Sequence, residues 1–155
     1  MILSFRYFRP IAVLALIAGA ESHSALARST GDSAGVAAAL EHYVGFVRQM
    51  ASDSIAELYT ADGELLATGR PPIVGPKAIQ AFLDSFSAYH VLADSMKPAT
   101  LEVRGDTALQ TGTFWQLVQV PAGDTVVAHS GFEILWLRDR QSGWRVRRMG
   151  TTPPP

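Results

Sequence analysis

The chain has 155 residues, a formal net charge of −1 and no cysteine. Its length and its 48% hydrophobic content suit one globular domain with a single core. The lack of cysteine excludes disulfides and a lipid-anchored lipoprotein, and the near-balanced charge gives no broad attraction to nucleic acid or anionic lipid.

Residues 1–27 have the pattern of a signal peptide. Arg6 and Arg9 precede an apolar run over residues 11–20, and Ala25-Leu26-Ala27 supplies a small-x-small cleavage site. The run is shorter than the roughly 20 apolar residues that a membrane span needs. We therefore expect a bacterial protein exported to the periplasm or beyond, with no membrane contact after cleavage. Residues 28–155 are then one domain with a loose, proline-rich tail.

Helical patterns occupy the first half of this domain. The first predicted helix runs from Asp32, as its N-cap, to about Met50. In the segment Ser52–Phe86 a short helix is followed by a turn at Asp62-Gly63, a strand and a proline-rich loop. An amphipathic helix then begins at Gly75-Pro76, where proline suits the first helical position.

The second half reads as strands. The predicted strands are His90–Arg104, Thr107–Val120, Thr125–Arg138 and Trp144–Thr151. Pro98 interrupts the first of them, which favours a sheet edge or a bulge there. A four-residue loop, Pro121–Asp124, connects the two central strands. Helices followed by a strongly bent antiparallel sheet predict an α+β fold.

Three short motifs occur in this order of elements. Gly75-Pro76-Lys77-Ala78-Ile79 begins the amphipathic helix, Gly105-Asp106-Thr107-Ala108 precedes the long strands, and Gly143-Trp144-Arg145-Val146 begins the last strand. In these three motifs and their order, the chain resembles SnoaL-like domains. These domains belong to the nuclear transport factor 2-like superfamily, which includes polyketide cyclases and ketosteroid isomerases. The resemblance implies a cone-shaped α+β barrel with a cavity at one end, and dimerisation through the outer sheet face.

The predicted strand pairing selects a cavity face. Pairing Val120 with Thr125 sets Gln116 opposite His129, and pairing Leu137 with Trp144 sets Glu133 opposite Arg148 on the same side. Interspersed polar groups favour this side as the wall of a pocket for a small ligand. The candidate ligand-binding residues are Tyr43, Tyr59, Phe114, Gln116, His129, Glu133 and Arg148.

The opposite side of the predicted sheet is strongly apolar. It carries Trp115, Phe132, Ile134 and Trp136. Because soluble monomers seldom leave such a surface bare, we expect a homodimer through this face.

His129, Glu133 and Tyr43 are the candidate catalytic residues. An unperturbed histidine titrates near neutrality, and a carboxylate and a phenol nearby would complete an acid–base set. A structural histidine, a structural Glu133–Arg148 ion pair and aromatic core packing are the alternatives. Aligned with ketosteroid isomerases, Tyr43 matches their hydroxyl donor. Their aspartate base falls on Ala67 and their second acid near Gly131, so isomerase chemistry of that type is not expected.

The sequence carries no motif typical of a metal or cofactor site. The histidines are scattered, which predicts no metal site, and no dinucleotide, P-loop or G-x-S-x-G motif indicates a cofactor. Arg145, Arg147 and Arg148 predict a solvated strand edge rather than a nucleic-acid site. Three functions fit: binding of a small, largely apolar molecule, acid–base catalysis of lyase, cyclase or isomerase type, or a non-catalytic dimerisation module.

Overall fold

The computed structural model describes residues 18–152, with side chains from Thr30 onward. Residues 1–17, and with them most of the predicted signal peptide, lie outside the described residues. The elements are α1 (Ala18–Arg48), α2 (Ser52–Glu57), β1 (Tyr59–Leu66), β2 (Ile73–Val74), α3 (Pro76–Asp84), β3 (His90–Arg104), β4 (Thr107–Gln119), β5 (Thr125–Asp139) and β6 (Gly143–Thr152). No helix within 18–152 is both long enough and apolar enough to span a membrane.

The six strands form one open sheet in the order β2-β1-β6-β5-β4-β3. All neighbours are antiparallel except β1 and β6, which run parallel, so the sheet is mixed rather than wholly antiparallel. β3 is an edge strand, and its pairing with β4 shifts register at Pro98, as the sequence predicted. The helices pack on one side of this sheet, which gives the expected α+β cone.

The β4–β5 hairpin corrects the predicted register by one residue. Gln119, not Val120, pairs with Thr125. The Val120 N–H donates to the Asp124 carbonyl at 2.9 Å, and the Gly123 N–H donates back to the Val120 carbonyl at 2.9 Å. Gly123 has a φ of 92°, a backbone conformation that glycine adopts without steric strain. The loop is therefore a three-residue turn with a left-handed glycine, one residue shorter than predicted.

That shift turns β5 over relative to the prediction, while the residues of β4 keep their predicted sides. Trp115 lies opposite His129, and Gly112 lies opposite Phe132. The side facing the helices carries the buried residues Ala108, Gln110, Phe132, Ile134 and Trp136. They pack with Val36, Leu40 and Tyr43 of α1 in one core. The residues predicted for the outer, dimerising face, Trp115 excepted, thus form the interior.

Two ion pairs fix α1 across the sheet. Asp32 is almost fully buried and pairs with Arg138 of β5, and buried Asp94 of β3 pairs with Arg48 at the end of the helix. Asp32 is therefore not the predicted N-cap. It lies well inside α1, which begins at Ala18.

Two glycines in the Ser52–Phe86 segment have different outcomes. Gly75, with a φ of 86°, precedes Pro76 at the start of α3, as predicted. Gly63 does not form the predicted turn but lies within β1, where the pairing with β6 is irregular. A Cβ on Gly63 would lie 2.9 Å from the Thr60 carbonyl oxygen and 3.0 Å from that of Val146, so this close approach of strands requires glycine.

Candidate functional site

A cavity of about 520 Å³ opens between α1, α3 and the concave face of the sheet. Its apolar walls include Val47 of α1, Leu65 of β1, Leu83 of α3 and Val118 of β4. A smaller space of about 160 Å³ adjoins it and extends to Met96 of β3. The volume is in the range of small-molecule sites. The helices and the curved sheet therefore leave room in the cone rather than filling it.

The polar groups of the lining are few and uncharged. They are contributed by Tyr43, Ser52, Thr68, Tyr89, Gln116 and Thr151. Among residues 18–152, no Asp, Glu, His, Lys or Arg lines this cavity. Hydroxyls and one amide can orient a ligand, but they do not exchange protons near neutral pH.

Tyr43 and Tyr59 form a buried, hydrogen-bonded pair beside the cavity. Burial raises the pKa of Tyr43 to about 12, although a hydrogen bond with Tyr59 partly opposes this. Burial, and then the charge of an ionised Tyr43, raise the pKa of Tyr59 well above its usual value. The Tyr59 hydroxyl also lies 3.7 Å from Met149 Sδ. Tyr43 lines the cavity and stays protonated at physiological pH, so its hydroxyl is available as a donor.

Four of the candidate ligand-binding residues lie at the cavity or next to it. Tyr43, Phe114 and Gln116 line the cavity or its deep extension. Tyr59 is fully buried and forms a hydrogen bond with Tyr43. Contact of these side chains with a ligand stays a prediction.

His129 and Glu133 do not join them. In the observed register His129 lies opposite Trp115 and Glu133 opposite Thr111, on the outer face of the sheet, and both side chains are exposed. The predicted convergence of His129, Glu133, Gln116 and Tyr43 on one pocket is therefore wrong. Its cause is the one-residue difference in the β4–β5 loop, since neighbouring strand residues point to opposite faces.

Arg148 has a different partner from the predicted one. It lies opposite Leu135 on β5, and its Nε donates to Glu64 on β1 at 2.8 Å. This hydrogen bond is the main reason why the pKa of Glu64 is lowered, and Arg147 adds to it. The predicted Glu133–Arg148 pair is replaced by a bridge between the two parallel strands.

An aromatic rim at the cavity mouth was not identified from the sequence as part of the site. We define it as Phe82, Phe86 and Tyr89, which meet edge to face with centroid separations of 5.2 and 5.6 Å. The helical spacing of Phe82 and Phe86 showed an apolar face but not that it borders open space. Among the described side chains, no group of three or more His, Asp or Glu is placed to hold a metal ion.

Comparisons with known proteins agree with this architecture. The model of the SnoaL-like domain family matches residues 28–150. A search of the curated proteins finds no match. Among solved structures, an NTF2-like protein with a cystatin-like fold from Novosphingobium aromaticivorans is 22% identical with a TM-score of 0.71, over 87% of this chain and 90% of that one.

Two further structures are similar over most of their length. A ketosteroid isomerase-like protein from Erwinia carotovora atroseptica is 20% identical, with a TM-score of 0.68 over 78% of this chain and 96% of that one. A conserved protein from Planctomyces limnophilus is 15% identical, with a TM-score of 0.72 over 80% of this chain and 98% of that one. At these identities the likeness shows the fold.

Proposed function

Since the chain belongs to the family of SnoaL-like domains, we propose that it binds a small, largely apolar molecule in the cone cavity. One observation carries the proposal: an apolar cavity of about 520 Å³ whose lining has a few uncharged polar groups. Burial of apolar ligand surface supplies the affinity. The Tyr43 hydroxyl and the Gln116 amide supply the hydrogen bonds that orient the ligand.

Binding is favoured over acid–base catalysis by what faces the cavity. Tyr43, with a pKa of about 12, is a proton donor in a hydrogen bond and not a base. His129 and Glu133, the candidate acid–base pair, are exposed on the other side of the sheet. A filled cone with only a structural role is disfavoured because the cavity exceeds the ~300 Å³ at which ligand sites begin.

A neutral apolar dye tests the binding proposal. N-phenyl-1-naphthylamine fluoresces on entering an apolar site, and its titration gives a dissociation constant. Ala67 lines the cavity, so Ala67→Trp should fill it and weaken binding by about tenfold or more. Ala93→Trp is the matched control, because Ala93 pairs with Leu117 on the outer side and is exposed. Wild-type affinity in Ala67→Trp, or no dye binding by the wild type, would contradict the proposal.

Export remains part of the proposed function. Its support is the sequence alone: the basic start at Arg6, the apolar run over residues 11–20 and the Ala25-Leu26-Ala27 cleavage pattern. N-terminal sequencing of the secreted protein should begin at Arg28, or at Glu21 if cleavage follows Ala20. Recovery of the intact N-terminus in the membrane fraction argues against export.

We also propose that two copies pair through the outer sheet face, now with a corrected set of residues. Trp115 is 38% exposed there, and Val127, which lies opposite Leu117, is 60% exposed. Neighbouring exposed apolar side chains of this kind favour a covered surface. Light scattering at micromolar concentration should show a dimer for the wild type and a monomer for Trp115→Glu. A wild-type monomer would contradict the pairing.

A further inference from the structure

One cation lies at the mouth of the cavity. Arg70 is in the loop between β1 and β2, and its Cζ lies 4.7 Å from the centroid of the Phe82 ring. Phe82 belongs to the aromatic rim and lines the cavity. The backbone N–H of Arg70 donates to the Ala67 carbonyl at 3.4 Å, which folds the loop into a turn. The guanidinium is thus held beside the opening by a cation–π contact.

This guanidinium has no carboxylate partner among side chains 30–152. Arg48, Arg138 and Arg148 are all paired with acids there, whereas Arg70 stacks on the Phe82 ring. A carboxylate is present on α3, but Asp84 accepts a hydrogen bond from Ser52 Oγ instead. Arg70 is exposed, so the N–H donors of its guanidinium are accessible from the solvent. The guanidinium at the mouth therefore pairs with no carboxylate among side chains 30–152, whereas the Asp84 carboxylate is already held by Ser52 of the lining.

Charge at the mouth and apolar walls behind it define an amphipathic site. Besides the rim, the lining includes Leu65, Leu66 and Val47, and the adjoining space is also lined by Met96. A single guanidinium balances a single negative charge, and its planar fork matches the two oxygens of a carboxylate. A ligand with an apolar body and an acidic end would place its body in the cavity and its charge at Arg70.

We infer that the ligand of the cone cavity is an amphipathic carboxylate, an acid with an aliphatic or aromatic body, whose carboxylate binds Arg70 at the mouth. This inference rests on the proposed binding function and names the chemical class of its ligand. The aromatic rim then contacts the carbon atoms next to the carboxylate. Tyr43 and Gln116 form hydrogen bonds with any oxygen atom at the opposite end of the ligand.

Displacement of N-phenyl-1-naphthylamine by decanoate and by decanamide tests the inference. The two probes share one chain and a planar head group and differ in charge at neutral pH. Wild-type protein should bind decanoate about three- to fivefold more tightly than decanamide, as expected for an ion pair at an exposed guanidinium. Arg70→Gln should weaken decanoate binding by a similar factor and leave decanamide within about twofold. Lys77→Gln removes one positive charge from the exposed surface of α3 and should leave both probes unchanged.

The outcomes separate the inference from the proposed function. Equal affinity of the two probes for wild type, a preference that survives Arg70→Gln, or an equal loss in Lys77→Gln would each overturn the role of Arg70. If the dye binds and neither probe displaces it, the ligand class is wrong while the cavity still binds. If the dye does not bind the wild type, the proposed function and the inference fail together.

Discussion

The two faces of the central hairpin are built from alternate residues of the same strands and have opposite properties. On the inner face Phe132, Ile134 and Trp136 are at most 1% exposed, and the Trp136 indole donates to buried Gln110 at 3.0 Å. On the outer face Trp115 is 38% exposed, and its opposite residue His129 is exposed. Composition alone does not separate these faces, because both carry tryptophan and aliphatic side chains. The three-residue loop after Val120 decides which tryptophan is core.

Deleting one tryptophan from each face gives the largest expected contrast. Trp136→Ala removes a fully buried ring and should lower the free energy of unfolding by about 3–5 kcal/mol. Trp115→Ala, the same deletion on the outer face, should cost about 1 kcal/mol or less in the monomer. Urea unfolding followed by circular dichroism measures both.

Equal losses would mean that the two faces are not distinguished as described. A Trp136→Ala protein that fails to fold agrees with the prediction, since single domains are stable by only about 5–15 kcal/mol. For the same reason Trp136→Glu is expected to unfold the chain rather than to separate a dimer.

A methyl group added to the inner face gives the second contrast. A Cβ on Gly112 would lie 2.3 Å from the Lys97 carbonyl oxygen and 2.6 Å from Phe132 Cζ. Because a backbone atom must move, we expect Gly112→Ala to cost about 3 kcal/mol, the upper end of ordinary overpacking. Gly45→Ala on α1 meets nothing within 4 Å and should stabilise by up to about 1 kcal/mol. A melting temperature of Gly112→Ala equal to that of the wild type would contradict the close packing at Gly112.

These contrasts show which parts of the fold are readable from the sequence. The strand bounds follow from alternation and turn residues, and β3 is predicted without error, with its irregularity at Pro98. The cavity residues Tyr43 and Gln116 are also found. Pairing register is less secure, because one residue more or less in a loop reverses every side chain of a strand. Pro121 and Gly123 did carry the signal for a type I turn followed by a left-handed glycine.

The missed parts of the site depend on tertiary contacts. Arg70 is in a loop with no periodicity, and only the folded chain brings it to the ring of Phe82. Asp32 is a residue type that often caps helices, but in the structure it lies inside α1 and pairs with Arg138 of β5. Likewise, the partner of Arg148 is Glu64, because β1 runs parallel to β6. No local sequence pattern encodes these tertiary contacts.

The buried tyrosine pair predicts a loss of stability in alkali. The pKa of Tyr43 is about 12 in the folded state, above the value near 10 of an unfolded chain. Its contribution to stability is therefore fully present below pH 10 and is lost as the pH rises toward 12. The loss should be on the order of 2 kcal/mol by the end of that window. Tyr43→Phe cannot ionise there, so urea unfolding between pH 8 and pH 12 should show a smaller decline. An identical decline in both proteins would place Tyr43 outside the low-dielectric interior.

The smallest expected effect belongs to His129. Its side chain is exposed on the outer face, so His129→Gln should change the free energy of unfolding by less than about 0.5 kcal/mol. Affinity for N-phenyl-1-naphthylamine should also stay within about twofold. Gln116→Ala is the informative control, because Gln116 is on β4 beside Trp115 but faces the cavity. Loss of its side-chain contacts should weaken dye binding by about threefold or more, the worth of one buried methylene group. If His129→Gln disturbed binding and Gln116→Ala did not, the ligand would lie on the outer face, and the division between the two faces would fail at the one point where it determines function.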